Sequence, residues 1–218
     1  MKTLFFSLTI ILTFDCFSQV LEDNRDGKKY YMVTIGEQIW MAENLDATTF
    51  RNGDKIPIAE DEGDWWTADE EGKPICAYFR FDKKNGVEYG KVYNWFAVND
   101  PRGLAPEGWH ISTDQEWTTL SLFLGGDDVA GEKLKSTDHW DWEGSGTNVY
   151  GFSALPGGSY HMDGGFYYDL GIEGEYWTST ESSERLAFYR SMQNETKNLR
   201  REHTYKSSGM YVRCVKDK

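Results

Sequence analysis

Cysteine, histidine and basic residues are all scarce in this chain, and past its first residues it has no long apolar run. With 3 Cys in 218 residues, a small scaffold held by many bridges is excluded. The four histidines, His110, His139, His161 and His203, stand far apart, so no paired metal-ligand spacing such as His-Glu-x-x-His is present. Lys and Arg number 23 against 36 Asp and Glu, a formal charge of -13. That deficit argues against nucleic acid and anionic lipid as partners, because both require a cationic footprint. No Pro/Ser-rich linker and no repeat divides the sequence, which favours one domain.

What is plentiful is aromatic: 9 Trp, 13 Tyr and 12 Phe. A core can be built from these even at a mean hydropathy of -0.65, so disorder is excluded. At the start, Lys2 precedes an apolar stretch over residues 4–14, and the small Ser18 stands before Gln19. This is the pattern of a secretory signal peptide over residues 1–18, shorter than the ~20 apolar residues a spanning helix needs. The rival reading, a lipid anchor at Cys16, is weakened by Asp15, where a small neutral residue is expected. Cleavage leaves residues 19–218 as the domain, secreted or at the cell surface, with Cys76 and Cys214 remaining. In an oxidising compartment the simplest fate of that pair is one disulfide, stabilising by roughly 4 to 5 kcal/mol. Two free buried thiols is the alternative.

Residues 30–35 and 38–41 alternate as strands around a Gly36-Glu37 turn, which predicts an opening hairpin. Residues 46–73 are polar and acidic and are expected as a long surface loop containing Trp65 and Trp66. Residues 89–98 are apolar nearly all round and predict a buried helix, stopped by Asn99-Asp100-Pro101. A second helix begins at residues 112–116, where Ser112 with Gln115 or Thr113 with Glu116 fits a capping box. Trp117, Leu120 and Leu124 mark its inner face, and Gly125-Gly126 ends it. A shorter helix is expected over residues 128–135. Glycine-punctuated loops then lead to strands at residues 176–180, 186–192 and 209–215. The fold class is α+β.

Several local signatures recur in a fixed order: Asp26-Gly27-Lys28, Ile39-Trp40-Met41-Ala42-Glu43-Asn44-Leu45, Tyr89-Gly90 with Tyr93-Asn94-Trp95, and Gly108-Trp109-His110 with Glu116-Trp117. Leu155-Pro156-Gly157-Gly158, Tyr176-Trp177-Thr178-Ser179-Thr180 and Val212-Arg213-Cys214 follow. On these the chain resembles the Fibrobacter succinogenes major paralogous domain family, over residues 26–217. That family is similar to the C-type-lectin-like fold, which includes the formylglycine-generating enzymes. The resemblance implies terminal strands that meet, two main helices, a short antiparallel sheet and a long loop region carrying ligands. It also implies a bridge tying the final strand, at Cys214, to the first helical region.

For chemistry, the formylglycine-generating relatives would require a soft thiolate pair for copper, and only Cys76 and Cys214 remain to supply one. Calcium needs hard oxygen ligands. Asp61, Glu62, Asp64, Asp127 and Asp128 supply acid but form no calcium-loop motif, so no cofactor is expected, Ca²⁺ being possible without motif support. The binding candidates are the loop aromatics Trp65, Trp66, Trp140, Trp142, Tyr167 and Tyr168, whose flat faces can stack on sugar rings. The basic cluster Lys197, Arg200, Arg201, His203 and Lys206 could grip an acidic glycan or acids of the same molecule, or form a solvated hairpin. The expectation is a secreted, non-catalytic domain that binds extracellular glycan or a surface protein. The alternatives are a metal-dependent oxidoreductase and a purely structural surface protein.

Overall fold

The computed structural model describes residues 19–161, 165–167 and 170–218, apart from the side chain of Tyr167. The expected signal peptide, Cys16 and Tyr168 lie outside the described residues. Strands β1 (Gln19–Glu22), β2 (Lys29–Ile35) and β3 (Gln38–Met41) open the fold, followed by helix α1 (Glu62–Glu70) and strand β4 (Cys76–Ala77). Next come α2 (Gly86–Tyr89), β5 (Val92–Asn94), α3 (Trp95–Val98), β6 (Trp109–Ile111), α4 (Asp114–Phe123) and α5 (Asp127–Leu134). Strands β7 (Ser159–His161), β8 (Gly165–Tyr167), β9 (Glu173–Glu181), β10 (Leu186–Gln193), β11 (Arg200–Tyr205), β12 (Gly209–Val212) and β13 (Cys214–Lys216) complete it.

The strands form two sheets. The first runs β1-β2-β3-β13-β6, so the last strand lies between the opening hairpin and β6, with Val215 opposite Trp40. The second runs β11-β10-β9-β12-β5-β4, with β7 also beside β12 and β8 beside β7. Pairing is antiparallel except between β12 and β9. The expected strand over residues 209–215 is thus two strands belonging to different sheets, divided at Arg213.

Arg213 explains the division. Its side chain is fully buried at the seam, where Nε donates to Asn44 Oδ1 (2.7 Å) and Nη1 to the carbonyls of Met41 (3.1 Å) and Phe152 (2.7 Å). Nη2 donates to Ser153 O (2.8 Å), and the guanidinium lies against the rings of Phe152 and Tyr176. Asn44 in turn donates to Tyr89 O (2.8 Å). One planar fork therefore ties together the Trp40-to-Leu45 stretch, the 152–153 loop and the chain's crossing between sheets. Around it Trp40, Trp117 and Phe152 pack edge to face, with centroids 5.0 to 5.6 Å apart.

Helix α4 begins as expected: Thr113 accepts from Glu116 N (3.1 Å) while Glu116 accepts from Thr113 N (2.8 Å), completing the capping box. Trp117, Leu120 and Leu124 are buried. Residues 89–98, expected as one helix, are instead the end of α2, strand β5 and helix α3. Gly90 at φ +74 breaks the chain, and Asn94 caps α3 by accepting from Ala97 N (3.0 Å). A central strand flanked by β4 and β12 is buried on both faces, which the apolar run cannot distinguish from a buried helix.

The expected disulfide is absent: Cys76 and Cys214 are free, buried thiols. Cys76 sits opposite Tyr93 in the second sheet and Cys214 opposite Ile111 in the first, and both are packed into one hydrophobic cluster as thiols.

Candidate functional site

The four described tryptophan candidates divide two and two. Trp65 and Trp66 are not in a loop but on α1, whose N-cap Asp61 accepts from Asp64 N (3.1 Å). Trp65 is 0% exposed; its indole donates to Ser207 O (2.8 Å) and packs on Tyr160. It is a core residue, which removes it as a ligand contact. Trp66, the next residue round the helix, is 50% exposed. Trp140 is 6% exposed and donates to Ser136 Oγ and Ala154 O (3.2 Å each), so it too is an anchor. Trp142 is 73% exposed.

The loop that carries Trp142 is held from several directions. Asp141 N donates to Gly171 O and Gly144 N to Asp141 O (2.9 Å each). A Cβ on Gly171 would meet the Asp141 carboxyl at 2.6 Å, and one on Gly144 would meet Asn194 at 2.5 Å, so only glycine permits this approach. His139, Trp142 and Glu143 all have positive φ (73°, 53° and 62°). Backbone in that region costs of order 1 kcal/mol or more per residue and persists only where the surroundings over-determine it. Beneath, Lys135 lies over the Trp140 ring (5.0 Å) and its Nζ donates to the carbonyls of Gln193 (3.2 Å), Asn194 (3.3 Å) and Thr196 (3.0 Å). The turn it holds is the one that packs on Gly144. Tyr167 lies in β8, and its side chain is outside the description.

A second group of polar residues lines one face of the second sheet. Glu173 and Glu175, two residues apart on β9, are both buried. Burial, and then the charge of Glu175, push the Glu173 carboxyl up to about 7. His161 Nε2 lies 3.2 Å from Glu175 Oε2, and its Nδ1 3.5 Å from Ser208 Oγ. Hydroxyl, imidazole and carboxylate in this order are the elements of a proton relay. Ser208 is buried, however, and its hydroxyl offers no open face to a substrate. Burial also pushes the Cys76 and Cys214 thiols up to about 12, so neither is a thiolate near neutral pH.

Three of the five loop acids have structural occupations. Asp61 and Asp64 serve the start of α1, and Asp127 accepts from Ser121. Among the described residues no group of three or more His, Cys, Asp or Glu is arranged to hold a metal ion. The basic cluster grips acids of its own molecule: Lys197 pairs with Glu132 (2.8 Å), Arg201 with Asp114 (2.9 Å) and Lys206 with Glu181 (2.8 Å). His203 Nδ1 lies 3.0 Å from Ser182 Oγ. Among the described residues no helix is long and apolar enough to cross a membrane.

Mixed α+β architecture with two sheets, ordered aromatic signatures and an arginine at the seam define a domain of one family. Residues 33–216 match the Fibrobacter succinogenes major domain, and the chain belongs to that family. No curated protein and no solved structure matches it.

Proposed function

We propose that this chain is an exported, non-catalytic binding module of C-type-lectin-like architecture, and that its ligand is an extracellular glycan contacted by Trp142. The observation that carries the reading is the division of labour within Trp140-Asp141-Trp142: one indole is buried as an anchor and the other is held out in solvent on a backbone of positive φ. An exposed indole on a mobile tail would lose entropy on binding; one on a pre-formed loop loses less. Stacking of an indole on the apolar face of a pyranose needs only such a flat, fixed surface. The exposed Asp141 and Glu143 beside it favour neutral or amino sugars over acidic ones. The copper-oxidase alternative is weakened by thiols that are buried, protonated and built into different sheets.

A glycan array on the purified mature domain tests this, with Trp142→Ala and, as an exposed-indole control, Trp66→Ala. Binding that Trp142→Ala weakens and Trp66→Ala spares is the expected result. An array with no bound sugar, or one on which Trp142→Ala performs like the parent, overturns the reading.

A further inference from the structure

A cavity lies away from Trp142, between the turn joining β1 to β2 and the tight turn at residues 50–54. It encloses about 670 Å³ and is lined by Asp23, Asn24, Arg25, Thr49, Arg51, Asn52, Gly53 and Glu107. None of these comes from the 139–144 loop. The volume is within the range of small-molecule sites, ~300–1,000 Å³.

Two guanidiniums build its walls. Arg25 donates from Nε to both Asp23 oxygens (2.9 and 3.1 Å) and from Nη1 to the carbonyls of Thr49 and Leu104 (2.7 Å each). Against the cost of burial, that guanidinium holds the Asp23 carboxyl below its ordinary range. Arg51 donates from Nε to Ala105 O (2.7 Å) and from Nη2 to Trp109 O. Phe50 N to Asp54 O (2.8 Å) and Gly53 N to Phe50 O (3.0 Å) close the tight turn. The two arginines thus stitch residues 23–25, 49–53 and 104–109 into one fixed frame, so the cavity is pre-formed.

Its chemistry is unlike that of the rest of the chain. Two acids, Asp23 and Glu107, face two bases, Arg25 and Arg51, so the lining carries no net charge in a protein of charge -13. Every lining residue except Gly53 has a polar side chain, so hydrogen-bonding groups are available on every wall. Among the described residues, the lining groups not spent on the frame are the Asn24 amide, the Thr49 hydroxyl, the Glu107 carboxylate and Nη1 of Arg51, a mixture of donors and acceptors. A ligand whose groups each donate and accept satisfies such a set, and hydroxyls do both.

We infer that this cavity is a second binding site, separate from Trp142, for a neutral polyhydroxylated ligand of the size of one or two sugar rings. Recognition there is by hydrogen bonds alone, without stacking.

The test is a titration of ¹⁵N-labelled domain, followed by NMR, with glucose, galactose and N-acetylglucosamine, and with glucuronate as the anionic comparator. A neutral sugar should move the amide resonances of residues 49–53. Thr49→Val and Glu107→Leu, which alter unspent groups and leave the arginine frame intact, should each weaken that effect by about tenfold. Trp142→Ala should leave it unchanged. Shifts that survive Trp142→Ala support the cavity even if the array shows nothing at Trp142. Shifts confined to the Trp142 indole overturn the cavity and leave the glycan reading standing. Tighter binding of glucuronate than of every neutral sugar, no shift at residues 49–53, or parent-like binding by both cavity variants also overturns it.

Discussion

Two cations are buried in this protein with no carboxylate bonded to either among the described residues, and they hold different kinds of structure. Arg213, at the seam between the sheets, spends its planar fork on one side-chain amide oxygen and three carbonyls drawn from two distant segments. Lys135, under the Trp142 loop, is a point charge on three carbonyls of one turn. Burial holds its ammonium below the usual lysine range. The fork fixes direction and so locks the meeting of two sheets; the ammonium fixes only distance, and supports a loop from beneath. One directional residue therefore fixes the seam, whereas the loop is fixed by its own backbone contacts and close glycine approaches, with the ammonium as a support beneath.

Removing the fork should show the largest effect. Arg213→Met leaves Asn44 Oδ1 and three carbonyls without a donor and should cost about 3–5 kcal/mol in urea unfolding. Arg213→Lys should rescue little, because an ammonium cannot reach all four acceptors. A midpoint unchanged by either would erase the contrast. Lys135→Met should cost less, about 1–3 kcal/mol. Its signature is regional: amide exchange should quicken at residues 139–144 and 193–196 while the seam stays protected.

Charge titration sharpens the same contrast by pH window. Glu173 lies behind the turn that Lys135 holds, accepting from Gln193 Nε2 (3.1 Å). Its folded value of about 7 stands above the ordinary 4.5, so the folded state favours the protonated form. That contribution is complete below about 4.5 and is lost as pH rises through about 7. Glu173→Gln should therefore flatten the decline in stability across this window, and a parallel decline in the variant would refute the assignment.

The smallest effect belongs to the first sheet. His110 lies between Glu116 (2.8 Å) and Asp217 (2.7 Å), and these hydrogen bonds, Glu116 first, raise it to about 9 from the ordinary 6.5. Its contribution is present below 6.5 and lost as pH rises through about 9. Because the ring is partly exposed, His110→Ala should cost only about 0.5–1 kcal/mol at pH 7 and nothing above the window. A constant difference at all pH values would show that packing, not charge, was lost.

Local rules were legible where a local pattern had one solution. The opening hairpin and the Thr113–Glu116 capping box follow from alternation and spacing alone, and both are present. Helix α1 was missed because only Trp65 and Ala68 are buried on it, leaving no apolar stripe; the Asp61–Asp64 cap was its one signal. Strand β11 was missed because it is charged and largely exposed, with no apolar alternation, and its Arg201 pairs with Asp114 far away in sequence.

By itself the sequence determined composition-level facts: an aromatic core, an acidic surface, α+β elements and an ordered family signature. Those depend on residue type and on neighbours a few positions away. Only the tertiary structure decided which of two nearly adjacent indoles faces solvent, that one strand divides between two sheets at Arg213, and that two buried cysteines stay unbridged. Each of these depends on what distant segments cover a residue, and cover is a property of packing that no local pattern records.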